Sequence, residues 1–357
     1  MGKKITTETD TAAAMGAAKE MHTAESKAAE EKPAADGRLL RPQFDKLTAA
    51  EKTDLMKTMA AHYGLQFREL CTFSRWGQSC TTGVFEKDGR EFVFVPGDTV
   101  TLGWEAFAVG MDADNQAELR DVMEKVCYSG SAEEFLRETM SPVRQAVIPP
   151  MLAGRLLEEI GWEPVSFEDP RLCAEHPEWL EDFRKYAGSG SAELNLVGCV
   201  KFQNRDGQWR AFLYNEMDYS QLKEQLNGQG LSLPTANEWA YLCGGGCRTL
   251  FPWGDGMDYS MHLYHLEKKR DTRPYDMEEP NFFGLSISYD PYKQEVIGAD
   301  SLTVCGDGGC GICGGSGPLL GFLSCSPHCR PEEQEDDVLD NDFHFFRPVI
   351  RVGQCPE

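Results

Sequence analysis

The stretch LSLPTANEWAYLCGGGCRTLFPWGD, residues 231–255, gives the strongest indication of the fold. Thr235 stands before an apolar helical pattern and Glu238 follows three positions later, which is the arrangement of a capping box. We therefore predict a short helix that begins after Thr235 and directs Trp239 into a core. A glycine-rich turn at 244–246 follows this helix.

Regular elements are also predicted on both sides of this segment, from capping residues, turn dipeptides and alternating apolar residues. They are a helix from Thr48 to about His62, a hairpin over 83–97, helices over 116–127 and 132–139, a helix from Pro149-Pro150 to about Ile160, a hairpin over 195–215 around Asp206-Gly207, a helix over 218–227 and a terminal strand within 343–352. Between 231 and 331 the pattern is irregular, and so long an irregular region is usually functional or held together by something specific.

The chain divides by composition into a tail and one domain. Residues 1–38 are rich in alanine, glutamate, lysine and threonine and contain no aromatic residue, which predicts a disordered tail. Residues 39–357 are expected to form a single domain. Within this domain, the region at about 105–195 is interpreted as a helical insertion.

Composition also limits the partners and the location. The formal net charge is −23, and binding to nucleic acid depends on lysine and arginine neutralising phosphates, so no nucleic acid partner is expected. No apolar run is long enough to span a membrane, and no membrane association is expected. The absence of a secretory pattern predicts a cytoplasmic protein, in which the thirteen cysteines are mostly reduced.

The segment at 231–255 resembles the formylglycine-generating enzyme, or sulfatase-modifying factor, family. Members carry Leu-Pro-Thr-x-x-Glu-Trp-x-Tyr, a glycine-rich turn and Pro-Trp-Gly-Asp, and the matching residues here are Leu233, Pro234, Thr235, Glu238, Trp239, Tyr241 and 252–255. Supporting pieces appear in the family's order at 91–104, 280–285 and 345–352. The resemblance implies an α+β domain of the C-type-lectin-like fold, with little regular secondary structure and a long irregular interior.

The resemblance also implies where an oxidase site would lie. Family members with oxidase activity bind copper through two cysteines that are separated by four residues and follow a glycine pair. Gly308-Gly309 is the nearest equivalent of that pair, which puts Cys313 at the first cysteine position and Pro318 at the second. The catalytic candidates are therefore Cys313 and Cys310, with Cys325 as another possible partner thiol.

Two further features of the resemblance concern metals. Where oxidases of the family carry a calcium segment, this chain has SISYDPYKQEV (286–296), in which Asp290 and Glu295 are oxygen donors suited to calcium. The alternative is a solvated turn. Iron-dependent sulfoxide synthases share the fold unit and use histidines, but HLYHLE (262–267) has a shorter spacing than theirs and is predicted to be a surface segment.

The cysteine-rich segment allows other readings from its residues alone. Cys310-x2-Cys313 and Cys325-x3-Cys329 form two close pairs, which is typical of a zinc site, and His328 can replace one ligand. A disulfide within Cys310-x2-Cys313 would need an oxidising setting or a redox role, and no thioredoxin-like context surrounds it. The competing structural interpretation is that the glycines allow close backbone approach and the cysteines are small packing residues.

Three hypotheses for function follow. The first is a divergent, non-oxidase relative that acts as a binding or accessory module, with a protein, peptide or small-molecule ligand on the irregular surface of 286–331. The second is a metal-dependent oxidase, with copper or iron, that acts on protein cysteine. The third is a hypervariable ligand-binding protein on the same fold.

Overall fold

The protein is described by a computed structural model over residues 36–205, 207–266, 273–298, 302–333 and 338–353. It is a mixed α+β structure with 30% helix and 29% strand, as the sequence predicted for the class. These fractions match those of ordinary globular domains. The expected scarcity of regular secondary structure is therefore wrong for the described residues taken together, although those within 245–331 form only short elements.

The helices range from single turns to four turns. They are α1 (Arg41–Phe44), α2 (Ala49–Tyr63), α3 (Ala113–Lys125), α4 (Ala132–Arg137), α5 (Pro177–Tyr186), α6 (Tyr219–Gly228), α7 (Ala236–Gly244), α8 (Cys310–Cys313) and α9 (Gly317–Gly321). Short 3-10 turns form at Gly37–Leu39, Asp276–Glu278 and Leu323–Cys325, and a π-helical turn forms at Arg171–Glu175.

The strands are mostly short beyond the first hairpin. They are β1 (Gln66–Arg75), β2 (Gln78–Lys87), β3 (Arg90–Val95), β4 (Asp98–Leu102), β5 (Arg144–Ile148), β6 (Met151–Gly154), β7 (Glu158–Glu159), β8 (Trp162–Val165), β9 (Glu193–Leu196), β10 (Val200–Arg205), β11 (Gln208–Tyr214), β12 (Met217–Asp218), β13 (Gln294–Val296), β14 (Leu302–Val304), β15 (Glu332–Glu333), β16 (Val338–Leu339), β17 (His344–Phe346) and β18 (Val349–Arg351).

Several small sheets organise these strands. The main sheet is antiparallel, in the order β1-β2-β3-β6-β18, so the last strand of the described chain pairs with a strand from its middle. A second five-stranded sheet has the order β15-β14-β13-β17-β7, in which β13 and β17 are parallel. A four-stranded sheet follows β8-β11-β10-β9, and β4-β5 and β12-β16 form pairs.

Most of the predicted elements are confirmed, including both hairpins, the helix after Thr48 and the capped helix after Thr235. The helix predicted from Pro149-Pro150 to Ile160 is wrong, because residues 151–154 form β6 in the main sheet. Every residue of β6 is buried. A short apolar run of this kind does not distinguish a buried strand from a buried helix by its pattern.

The region at 105–195 does not form one helical insertion. Its first part, with α3, α4, β5 and β6, packs into the main core through residues such as Leu119, Leu136 and Leu152. A separate satellite core starts near β8 and extends past 195 to β11, and it contains Leu180 and Phe202. Of the predicted tail, residues 1–35 lie outside the described residues, as do Asp206 of the second hairpin and the loop at 334–337.

Helix α7 is the part of the fold that the sequence predicted best. Thr235 Oγ1 accepts a hydrogen bond from the Glu238 backbone N–H at 3.2 Å, and the Glu238 carboxylate accepts one from the Thr235 N–H at 2.7 Å. The same carboxylate accepts two hydrogen bonds from the Arg351 guanidinium of β18, at 2.7 and 2.6 Å. Trp239 is buried, as predicted. Glu238 therefore joins the start of α7 to the last strand.

We expect Glu238→Gln to lower the free energy of unfolding by about 2–3 kcal/mol, because glutamine preserves the cap but leaves Arg351 without its anionic partner. The matched control is Glu51→Gln, which changes the same position of the exposed capping box of α2. A loss below about 0.5 kcal/mol is expected there. Urea unfolding followed by circular dichroism measures both, and equal losses would contradict the role of Arg351.

Candidate functional site

The glycine- and cysteine-rich segment folds into a short turn of helix that packs against a tyrosine. Gly308 and Gly309 both have positive φ, +65° and +79°, before α8 begins at Cys310. A Cβ atom on Gly309 would lie 2.3 Å from carbons of the Tyr292 ring. Only glycine allows both this backbone conformation and this approach. Cys310 and Cys313, at the two ends of α8, are exposed free thiols.

Cys313 is hydrogen-bonded to Tyr292. Its sulfur lies 2.8 Å from the Tyr292 hydroxyl oxygen. The neighbouring Cys313 sulfur, together with burial, raises the pKa of Tyr292 to about 12. The phenol therefore keeps its proton at neutral pH. It is positioned to donate that proton in a hydrogen bond when the sulfur is a thiolate.

A histidine and an aspartate hold Tyr292 from the other side. The His265 ring packs against the Tyr292 ring with centroids 4.1 Å apart. His265 Nε2 lies 2.9 Å from Asp290 Oδ1, and the same oxygen accepts a hydrogen bond from the Tyr292 backbone N–H at 3.0 Å. We call Cys313, Tyr292, His265 and Asp290 the tyrosine–thiol cluster.

The predicted calcium donors are not brought together for that purpose. Asp290 is bonded to His265 and to the Tyr292 backbone. Glu295 forms a buried ion pair with Arg347, with Glu295 Oε1 and Arg347 Nε 3.1 Å apart and both side chains almost fully buried. A buried arginine without this carboxylate would be an uncompensated charge. The structure therefore places Glu295, the predicted calcium donor, in a buried ion pair and not beside Asp290.

The predicted zinc ligands do not converge either. Cys310 and Cys313 are exposed on α8, whereas Cys325 is buried, with its sulfur 3.9 Å from that of Cys305. His328 Nε2 lies 3.0 Å from the Thr249 carbonyl oxygen and must donate its proton there. In the part of the chain that the structure describes, no three His, Cys, Asp or Glu side chains are grouped to hold a metal. The predicted zinc ligands Cys310, Cys313, Cys325, Cys329 and His328 therefore do not form a grouped ligand set among the described residues.

Burial raises the pKa of the thiols at Cys325 and Cys329. It raises the pKa of Cys325 well above its usual value, with the Cys305 sulfur adding to the effect, and it raises the pKa of Cys329 to about 12. A thiol reacts as its thiolate, so the raised pKa values make these two residues poor nucleophiles at neutral pH. The accessible thiol chemistry of this region therefore belongs to Cys310 and Cys313.

The structure also shows where Pro318, at the predicted second cysteine position, and the two histidines of HLYHLE lie. Pro318, at the second cysteine position, lies in the first turn of α9. His262 is buried and stacks on Tyr275 with centroids 4.6 Å apart, so the prediction of a surface segment is wrong for His262. His265 joins the tyrosine–thiol cluster, and Glu267 lies outside the described residues.

Sequence reasoning missed Tyr292 and the pairing of His265 with Asp290. Three of the cluster residues, His265, Tyr292 and Cys313, come from segments far apart in the sequence, and no spacing links them. The one usable signal is Gly308-Gly309, because adjacent glycines indicate close approach of another group. That signal does not say which group approaches.

Comparison with known proteins leaves the family open. No protein-family model matches this chain, and no curated protein matches it. Among the described residues, no helix is both long and apolar enough to cross a membrane.

His328 makes folding sensitive to acid. Burial lowers the pKa of His328 to about 4, against 6.5 for an ordinary histidine, so the unfolded state binds more protons between these values. The stabilisation is complete above pH 6.5 and is lost as the pH falls to about 4, up to about 3 kcal/mol in all.

We therefore expect His328→Gln, which keeps a donor for the Thr249 carbonyl, to flatten the dependence of unfolding free energy on pH between 6.5 and 4.5. His176→Gln serves as the control, because that ring is 44% exposed. Urea titrations at a series of pH values measure the slope. A slope that is the same in wild type and His328→Gln would contradict the assignment.

Proposed function

We propose that this chain is a divergent member of the formylglycine-generating type of C-type-lectin-like fold, and that it acts as a binding or accessory module. The observation that carries the proposal is that three of the segments that resemble the family converge on α7, which belongs to the fourth. The Tyr241 hydroxyl donates to the Pro96 carbonyl at 3.1 Å, and Asn281 Nδ2 donates to the Leu242 carbonyl at 2.8 Å. Arg351 binds Glu238 on the same helix.

This convergence supports a shared scaffold. Pro96, Asn281 and Arg351 belong to the pieces at 91–104, 280–285 and 345–352, and Tyr241 belongs to 231–255. Matches scattered by chance along a sequence have no reason to bond to one helix. The α+β class and the return of β18 to the main sheet beside β6 add to this support.

The arrangement of the thiols favours a non-oxidase role. Cys313, at the first copper-binding position of the family, is hydrogen-bonded to the phenol of Tyr292. The second position is occupied by Pro318 at the start of α9. Cys325, the alternative partner of Cys313, is fully buried beside Cys305. The retained scaffold and the altered thiol positions together favour recognition over copper-dependent oxidation of cysteine.

The binding surface belongs to the irregular region around the tyrosine–thiol cluster. Tyr264 and Tyr292 both contact the His265 ring, and Tyr275 contacts Tyr264, so the rings form one connected aromatic group. Aromatic side chains are enriched where proteins recognise partners, because they supply a large contact area at low entropic cost. The partner class is a protein, a peptide or a small molecule, and a hypervariable surface is an alternative that comparison of close genomic copies would test.

A copper and turnover assay tests the non-oxidase role. We expect the purified protein, offered copper(I), oxygen and a cysteine-containing peptide, to form no aldehyde and to consume no oxygen beyond a protein-free control. Stoichiometric copper that is lost in Cys313→Ser, together with aldehyde formation, would overturn the proposal in favour of the oxidase.

Selection from a displayed peptide library tests the binding role. We expect wild type to enrich peptides whose binding falls at least tenfold in Tyr292→Ala. The matched control is Tyr186→Ala, a partly exposed tyrosine at the end of α5. Peptides that bind both variants as well as wild type would contradict a site at the tyrosine–thiol cluster.

A further inference from the structure

Cys310 and Cys313 are two exposed free thiols on one turn of helix. Residues three apart on a helix lie on the same side, with Cβ atoms about 5–6 Å apart. A disulfide has Cβ atoms about 3.8 Å apart, so closing one here needs a shift of about 1–2 Å. The pair is therefore close to the geometry of a disulfide without being strained into it.

The backbone around the pair leaves more open space at one end than at the other. Asp307 Oδ2 accepts a hydrogen bond from the Gly311 N–H at 2.9 Å, and the Asp307 N–H donates to the Pro291 carbonyl at 2.8 Å. These bonds anchor the Cys310 end. After Cys313 the chain continues through Gly314 and Gly315, and a Cβ atom on Gly315 would meet nothing within 4 Å. The Cys313 N–H donates to the Gly309 carbonyl and the Gly314 N–H to the Cys310 carbonyl, both at 2.8 Å, so a shift at the Cys313 end must loosen these helical bonds, and the open space beyond them accommodates it.

Tyr292 distinguishes Cys313 from its neighbour. The hydroxyl is fixed 2.8 Å from the Cys313 sulfur by the Gly309 contact on one side and by the His265 ring on the other. A hydrogen bond donated to sulfur stabilises the thiolate, which is the attacking species in thiol–disulfide exchange. Cys313 is therefore the better attacking group of the two.

We propose that Cys310 and Cys313 form a reversible dithiol–disulfide pair that exchanges with an external disulfide, with Tyr292 as a positioning residue. The Cys313 thiolate attacks one sulfur of the external disulfide, forms a mixed disulfide and releases the other half as a thiolate. The Cys310 thiolate then attacks the Cys313 sulfur, which forms the internal disulfide and releases the second half. The external disulfide is reduced by two electrons, and the two thiol protons pass to the released thiolates.

This role goes beyond the proposed binding function and does not depend on it. The dithiol would exchange whether or not the surrounding surface binds a peptide, and peptide binding would persist if the pair never closed. The two proposals can fail separately. The dithiol proposal is tested by the mass of a disulfide-containing peptide, and the binding proposal is tested by the retention of displayed peptides.

Peptide mass spectrometry tests the disulfide directly. The native protein is equilibrated in glutathione buffers from fully reduced to fully oxidised, alkylated, and digested with proteases that cut before Asp307 and after Phe322. The resulting peptide contains Cys310 and Cys313 as its sole cysteines. We expect it to lose the mass of two hydrogen atoms reversibly as the buffer is oxidised. A peptide that stays fully alkylated in every buffer would overturn the proposal.

Variants in which one cysteine of the pair is replaced by serine identify the attacking thiol. With oxidised glutathione, Cys310→Ser should accumulate a mixed disulfide on Cys313, whereas Cys313→Ser should react at Cys310 at least tenfold more slowly. The exposed Cys173 in the same protein serves as an internal reference. Reaction of Cys313 no faster than Cys173 would overturn its role. The same experiment with a disulfide-bonded peptide in place of oxidised glutathione shows which external disulfide the pair prefers. Faster exchange with the peptide than with glutathione would favour a protein partner.

The Tyr292→Phe variant tests the positioning residue. We expect exchange to slow about tenfold, the effect of one hydrogen bond to a charged group. We also expect the pH at which the exchange rate is half-maximal to move upward, while the urea concentration at the midpoint of unfolding stays that of wild type. Tyr289→Phe is the control, because that hydroxyl accepts from Lys293. An unchanged pH midpoint in Tyr292→Phe would overturn the role of the phenol.

Two glycine variants distinguish the effect of displacing the Tyr292 ring from the effect of straining the backbone. Gly309→Ala and Gly315→Ala both place a side chain at positive φ, +79° and +71°, but only the former collides with the Tyr292 ring. We expect Gly309→Ala to slow exchange as Tyr292→Phe does, and Gly315→Ala to leave the rate within about twofold of wild type. Equal slowing in both would contradict the ring contact.

Discussion

The carboxylate of Glu238 is shared between the first turn of α7 and the guanidinium of Arg351, and the rest of the structure depends on this sharing. Seven residues of α7, Glu238 to Gly244, are buried, so little water reaches the helix to satisfy its polar groups. One buried carboxylate both caps the helix and neutralises an arginine on the last strand of the main sheet. The start of α7 and the last strand of the main sheet are therefore tied together by one side chain, and the irregular segment between α7 and β18 is held at both ends.

How far the sequence predicts this molecule depends on the distance between the interacting residues. The capping boxes Thr48/Glu51, Ser131/Glu134 and Thr235/Glu238 form as predicted, because each needs only two residues three positions apart. Hairpins around Asp-Gly turns are predicted for the same reason. The strand β6 is not predicted, since its place between β3 and β18 is decided by residues far away in the chain.

The candidate site is even harder to predict from the sequence than the fold. The residue types at the cluster are visible in the sequence, but their partners are not: Asp290 and Glu295 are five positions apart, and one bonds to a histidine while the other bonds to a buried arginine. Spacing suggests that two such carboxylates share a cation. Burial separates them, because Arg347 inside the core requires a counter-charge and Glu295 is the one that reaches it. The choice between ligand and ion pair is made by the tertiary structure alone.

The segment CGDGGCGICGGSG, residues 305–317, contains seven glycines, and its glycine content allows another part of the chain to lie close to its backbone. A metal cage needs thiolates that converge, and here the thiols divide into buried Cys305 and exposed Cys310 and Cys313. A phosphate cradle needs backbone N–H groups that face outward, whereas the Gly311 N–H faces the Asp307 carboxylate and the Gly309 N–H faces the Pro291 carbonyl. What remains is a turn flat enough for the Tyr292 ring to lie against Gly309. Any side chain at that position would move the ring, and with it the hydroxyl that marks out Cys313 among the exposed thiols.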